Sequence, residues 1–161
     1  MRVPSFQRSQ GGAAILEVLV SVLVLSLGIF GMVGLQLRAL KGNNSSFQRT
    51  QAVMMSYYII DAMKVDVANA KALSYNTGEG SVETDDEIPA LCSAEAVDAA
   101  GLVGANQTAW INGIKAALGP DAASCGAVYC TAQGECRIQV RWDDTKAGGL
   151  GKQIVQTVTR L

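Results

Sequence analysis

The stretch AAILEVLVSVLVLSLGIFGMVGLQL, Ala13 to Leu37, decides how this chain is read. From Val18 to Leu37 it carries no charged residue. At 1.5 Å rise per residue, a helix over those positions is about 30 Å long, the thickness of a bilayer's hydrocarbon core. A helix packed on a soluble core shows a polar face every third or fourth residue, and this run shows none. A conventional cleaved signal peptide has a shorter apolar region followed by a small-x-small site. Here the run is longer, and LRALKGNN (Leu37 to Asn44) after it is basic rather than small. The run predicts a membrane span.

On its N-terminal side lies MRVPSFQRSQGG, with Arg2 and Arg8, no acid, and Gly11-Gly12 at its end. Glu17 stands at the start of the apolar run. A carboxylate inside a bilayer costs roughly 2.5–3.5 kcal/mol on insertion scales, so such a residue usually has a partner. From the residues alone, two readings stay open. Either Glu17 lies at the interface and remains hydrated, or it pairs with a cation supplied by another chain.

A basic leader, Gly12, four apolar residues, Glu17 and then the long apolar run resemble the class III signal of type IV pilins and type II secretion pseudopilins. The resemblance implies cleavage after Gly12 by a prepilin peptidase and N-methylation of the new N-terminus, Ala13. One departure is that the family usually has Phe or Met where this chain has Ala13. The segment ILEVLVSVLVLSLGIFGMVGLQ, Ile15 to Gln36, is similar to the anchor of PilV-type minor pilins, and its Glu17-Val18-Leu19-Val20 core is shared with I-type minor pseudopilins. Gly28, Gly31 and Gly34, followed by Leu35-Gln36, favour the pilus form. The close likeness covers about 25 of the 161 residues; the general layout supports the remainder. The glycines either permit close helix approach or are merely tolerated in a membrane helix.

The layout expected from this resemblance is α+β, the type IV pilin fold: a long N-terminal helix packed on a small antiparallel sheet. Residues 1–12 are the leader, 13–37 the transmembrane and assembly half of the first helix, 38–72 its amphipathic half, and 73–161 a periplasmic globular region. Phe47, Met54, Tyr58, Ala62 and Val65 step by three, four or seven residues, with Met55, Ile59 and Met63 widening the stripe, and are expected to form the core face. Gly42-Asn43-Asn44 is a weak point where a kink is expected. Residues 74–90, with five acids, read as a solvated loop; Glu83-Thr84-Asp85-Asp86-Glu87 lacks the EF-hand spacing. A helix is expected over 93–118, buried through Val103, Gln107, Trp110, Ile114 and Leu118 and stopped by Gly119-Pro120. The last third reads as three strands. Ala127–Cys130 and Cys136–Trp142 flank a turn at 131–135, and Ile154–Leu161 follows the glycine-rich loop Ala147–Gly151. In the middle strand Cys136, Ile138, Val140 and Trp142 alternate with Arg137, Gln139 and Arg141, giving one apolar and one polar face. Asp143-Asp144 reads as turn chemistry.

The chain has 13 Lys+Arg, 14 Asp+Glu and no His, for a net charge of −1. No imidazole base or His-ligated zinc is available, and no broad basic surface exists for nucleic acid. Cys92, Cys125, Cys130 and Cys136 contain no CxxC pair, and a tetrathiolate is the one closed metal option. Two disulfides suit the oxidising periplasm that the resemblance implies. Four cysteines allow three connectivities; the expected pairs are Cys130–Cys136, facing across the hairpin turn, and Cys92–Cys125, tying the loop to the domain.

No catalytic constellation, cofactor or metal is expected. The resemblance implies a structural subunit that helps initiate type IV pilus assembly. It would reside in the bacterial inner membrane as a single-pass protein with its C-terminal domain in the periplasm, and pass into the surface pilus. Its implied partners are other minor pilins, the major pilin, the prepilin peptidase/methyltransferase and the inner-membrane assembly platform. Glu17 would neutralise the Ala13 amine of a neighbour. The alternatives are an I-type minor pseudopilin of a type II secretion system and, remotely, a membrane-anchored periplasmic enzyme.

Overall fold

The computed structural model describes residues 11–84 and 86–161, with side chains from Ala14 onward. The leader expected at 1–12, with Arg2 and Arg8, therefore lies outside the described residues except for its last two positions. Gly11, Gly12 and Ala13 are described only as helical backbone. Asp85 of the acidic cluster also lies outside them. The chain divides into two units, one ending at Leu40 and one running from Lys41 to Leu161.

From Gly11, where its described part begins, the first unit is helical. It belongs to α1, Gly11–Val65, whose large side chains up to Leu40 are exposed on every side. Ser21 and Ser26 would each leave a hydroxyl in apolar surroundings. Each instead donates to a carbonyl one turn back, Ser21 Oγ to Val18 O and Ser26 Oγ to Leu23 O, both at 2.8 Å.

The second unit is an α+β arrangement: the latter part of α1, a short α2 (Val67–Lys71), α3 (Gly101–Leu118), and an antiparallel sheet of β1 (Cys125–Cys130), β2 (Glu135–Asp143) and β3 (Lys152–Arg160) in the order β1-β2-β3. Single 3-10 turns lie at Ala94–Ala96 and Thr145–Ala147. α1 stays helical across Gly42-Asn43-Asn44, the weak point expected from sequence, and breaks at Asp66 instead. α3 starts at Gly101, eight residues later than expected, and ends where Gly119, at φ 112°, adopts a conformation that side-chain-bearing residues rarely reach.

The core forms where Ala52, Ile59, Ile60 and Met63 of α1 meet Trp110, Ile111 and Ile114 of α3 and Val128, Ile138, Val140 and Trp142 of the sheet. Trp110 fixes this junction. Its Nε1 donates to Met55 O at 2.8 Å, and its ring lies over Gly126, where an added Cβ would come within 2.5 Å of the indole.

That geometry bears out part of the expected core stripe of α1, since Ile59 and Met63 are buried and Met55 and Ala62 pack against the core, and corrects the rest. Phe47, Met54, Tyr58 and Val65 are 58%, 54%, 45% and 86% exposed. The buried face is Ala52, Ser56, Ile59 and Met63, on the opposite side of the helix. That face mixes the small Ala52 and Ser56 with the large Ile59, Ile60 and Met63. Ser56 donates its hydroxyl to Ala52 O at 3.1 Å.

β2 also departs from expectation. Its apolar face is buried as read, but Arg137 and Gln139 of the opposite face are buried too. The 74–90 segment is a loop, yet it covers that face rather than standing free in solvent. Asn76 exchanges two hydrogen bonds with the Cys130 backbone, and Thr77 N donates to Val128 O at 2.9 Å. Ile88 is buried, its N–H donating to Gln139 Oε1 at 3.0 Å. Arg141 donates to Ile88 O and lies 3.1 Å from Glu87. Among the described residues the Arg137 guanidinium has no hydrogen-bond partner.

Two disulfides close the domain, Cys92–Cys125 and Cys130–Cys136, the same pairs expected from sequence. Cys130 and Cys136 are register partners at the end of the β1–β2 ladder. The Cys92–Cys125 bridge is reinforced by the backbone exchange between Leu91 and Gly126. In the chain-entropy description the sequence separations of 33 and 6 correspond to about 3.8 and 2.4 kcal/mol. Removing the pair Cys92/Cys125 by double alanine substitution is expected to lower the urea midpoint more than removing Cys130/Cys136, measured on the full chain in detergent. Equal losses would show that loop closure does not set their contribution.

Tyr75 provides a pH test of the same core. Burial raises its phenol above the ordinary 10.0; Asp66 adds to the rise and the Asn106 hydrogen bond opposes it. The folded protein thus holds the neutral phenol while the unfolded chain ionises first. The stabilisation is complete below pH 10.0 and is lost as pH climbs through the raised value. Alkaline loss of stability is expected to be shallower in Tyr75→Phe than in the parent when urea midpoints are followed from neutral pH upward.

Candidate membrane anchor and assembly site

One helix in the structure is long and apolar enough to cross a membrane, and none of its apolar window is covered by the chain itself. Ile15, Leu16, Leu19, Leu23, Leu27 and Phe30 are each more than half exposed. An α-helix is the economical form for such a run, because every backbone polar group is satisfied within the segment. Gly28, Gly31 and Gly34 have open space where a Cβ would stand. Nothing within the chain uses their smallness.

Glu17 lies among these side chains and is exposed. Among the described residues it forms no ion pair and no side-chain hydrogen bond. Gly12 and Ala13 are on the same helix, so an amine created at Ala13 would stand one turn, about 6 Å along the axis, from Glu17. The three positions singled out from sequence for processing and assembly thus fall on one helical segment, and the four cysteines belong to the other unit.

Sequence reasoning passed over a second constellation, at the start of the second unit. Asp143 does perform the turn chemistry expected of it. Thr145's hydroxyl and N–H bond its carboxylate at 2.6 and 2.8 Å and hold its pKa below the ordinary range. Asp144 does more. It is 2% exposed, and its carboxylate accepts from Ser45 Oγ of α1 and from Gly151 N, both at 2.8 Å. Its backbone carbonyl accepts from Ala147 N and Gly149 N. Gly148, at φ 86°, lies against the Lys41 stem, and a Cβ there would come within 2.7 Å of the Lys41 side chain. The β2–β3 loop is therefore clamped to the first turn and a half of α1 beyond Leu40. The only local signal was the pair of acids ahead of a glycine-rich run; the partner Ser45 is 99 positions away.

Among the described residues no three His, Cys, Asp or Glu side chains converge as metal ligands. A shallow depression at the β2–β3 end of the sheet is lined by Glu87, Cys125, Arg141, Trp142, Lys152 and Ile154. Of its two cations, Arg141 is already engaged by Glu87, Gln139 and Ile88. No protein-family model, no curated protein and no solved structure matches this chain.

Proposed function

We propose that this protein is a minor pilin, a membrane-anchored structural subunit that joins related subunits in the inner membrane and helps initiate a type IV pilus. The observation that carries the reading is Glu17: a carboxylate at the head of a helix that is apolar all round and whose apolar window is exposed among the described residues. Such a helix fits a subunit whose first half is meant for lipid and then for other chains. The outer face of α1 beyond the span supports the same reading. Phe47, Met54, Tyr58 and Val65 form an exposed apolar stripe opposite the face the domain buries, as suits a helix with neighbours on both sides.

In this proposal, hydrolysis of the Gly12–Ala13 peptide bond releases the leader and leaves a cationic amine on Ala13, which is then methylated. Glu17 of one subunit neutralises the amine of the next. In apolar surroundings either charge left alone is costly, so the pairing selects one axial register among the many that a uniformly apolar helix would accept. The domain from Lys41 onward is carried outward on the helix and presents its surface to neighbouring subunits.

Two measurements test this. Intact mass of the membrane form is expected to show a chain beginning at Ala13 with an added methyl group; a mature N-terminus beyond Leu37 would end the proposal. Glu17→Gln is expected to insert normally and to fold normally, because the domain core lies elsewhere on the chain. Breaking one partner of a buried ion pair costs about 3–5 kcal/mol, so co-purification with partner subunits is expected to fall by orders of magnitude and piliation with it. Wild-type recovery of partners by the Glu17→Gln protein would show that the carboxylate does not set register.

A further inference from the structure

We propose that Arg137, within the second unit, is the centre of a binding site for one small oxyanion, held between the polar face of β2 and the 74–90 loop that covers it.

Arg137 is 0% exposed, and among the described residues its Nε, Nη1 and Nη2 all lack a hydrogen-bond partner. No other buried side chain of the described residues leaves so many polar atoms unused. An arginine carries five N–H donors and a charge that it does not lose in proteins. Burial of such a group is costly unless it is paired and hydrogen-bonded. An exposed arginine would turn its head to water, but no part of this one reaches the surface.

The groups around it are engaged elsewhere or bear no negative charge. Tyr129 of β1 and Val158 of β3 are its register partners, so their side chains share its face of the sheet. Two positions along that face, Gln139 Oε1 accepts from Ile88 N and from Arg141, while its Nε2 donates to Asp86 O and Gln156 Oε1. Four positions along, Arg141 takes Glu87 at 3.1 Å, and its own Nε is buried without a partner. Two positions back, Glu135 is exposed, as are Glu79, Glu83 and Asp86 of the covering loop. Among the described residues none of these four acids forms an ion pair. Two cations thus stand on this face against one engaged acid, and the excess charge is positive.

The ligand class follows. The planar fork of a guanidinium matches two oxygens of a carboxylate or phosphate and holds them by parallel N–H···O bonds. Complete burial sets a small size. The loop lies against the sheet, with Ile88 buried and Gly80 on the Tyr129 ring, where an added Cβ would stand 3.3 Å from a ring carbon. An acidic side chain from another protein would have to displace that cover, whereas a single small anion can be enclosed as the loop folds over it. An ion bound by the folded chain alone stabilises the domain.

The test uses the full chain in a non-ionic detergent, with phosphate exchanged for chloride at constant ionic strength. Equilibrium dialysis against radiolabelled phosphate is expected to give one bound ion per chain. The parent's urea midpoint is expected to rise by an equal step for each tenfold rise in phosphate above the dissociation constant. Arg137→Met is expected to bind no phosphate, to lose that dependence, and to be no less stable than the parent in chloride, because an uncompensated buried charge has been removed. Arg160→Met, at the exposed end of β3, is expected to respond as the parent does. Acetate in place of phosphate separates the two oxyanions. A rise in phosphate alone assigns a tetrahedral ion, a rise in acetate also assigns the carboxylate group, and either supports the site. If the parent binds neither anion and neither moves its midpoint, the site is overturned. A phosphate response that survives in Arg137→Met overturns it too, since the ion then binds elsewhere. Should Arg137→Met fail to fold, Arg137→Lys, which keeps the charge and loses the fork, takes its place. Phosphate binding at least tenfold weaker is expected there, and undiminished binding overturns the proposal.

Discussion

Apolar helix surface has to be covered by something, and the organisation of this protein follows from how the surface of α1 is divided. Up to Leu40 its described large side chains are exposed. Beyond it, one face of Ala52, Ser56, Ile59 and Met63 forms the floor of a domain core, while Phe47, Met54, Tyr58 and Val65 face outward. The folding of the domain and the solvation of the anchor are thereby separate energetic problems. The domain closes its own core with α3 and the sheet, and its two disulfides tie β1 to β2 within that core and the preceding loop to β1. The anchor contributes nothing to that core, so its sequence is free to answer to lipid and to other chains. A charge at Glu17 is tolerable only under that separation. In a helix that also had to stabilise its own domain, an unpaired carboxylate at this place would be a defect with no compensating role.

The segment between α2 and α3 illustrates how a chain without regular secondary structure is held. Its 73–100 stretch has a single 3-10 turn, and loops of that length are uncommon in compact domains unless something fixes them. Three kinds of attachment do so here. Asn76 and Thr77 complete the free edge of β1 with side-chain and backbone bonds, the Cys92–Cys125 bridge pins the far end, and Gln139 and Arg141 bind the backbone between. The polar face of β2 is thus a docking surface for the protein's own loop. The edge of β3 has no strand partner among the described residues, and Lys152 and Arg160 at its two ends discourage indiscriminate pairing.

What was legible in the sequence was local. The apolar run, the alternation of Cys136 to Trp142, the stop at Gly119-Pro120 and the cysteines flanking a tight turn each announce themselves within a few residues, and the structure has a helix, a strand, a helix end and a disulfide at those places. What was not legible depended on partners far along the chain. The phase of α1 is legible only in part: Ile59 and Met63 lie in the core as the stripe implies, but the face centres on Ala52, Ser56 and Ile60 rather than on Phe47, Met54, Tyr58 and Val65, because Trp110 and the sheet pack from that side. What covers the polar face of β2 is not legible either, because nothing in the alternation tells of a loop arriving from far earlier in the chain. Asp144 looked like an ordinary turn residue because Ser45 lies nearly 100 positions away. Likewise Ala100–Gly101 ends an extended stretch through a backbone turn at φ 65°, which composition alone does not date to 101 rather than 93.

The buried Asp144 connects these themes. A carboxylate taken out of water needs its oxygens occupied, and here one accepts from the α1 hydroxyl and the other from the loop backbone. Neither donor is charged, so the group acts as a bracket whose strength lies in having both lone-pair sites satisfied at once. Gly149 is obligatory beside it, since a Cβ there would fall 1.9 Å from a carboxylate oxygen. The glycines at 148 and 151 serve the positive φ angles the turn requires. A loop free to fluctuate would need none of this. The investment in one buried acid, one serine on α1 and three constrained glycines is intelligible if the position of the tip matters.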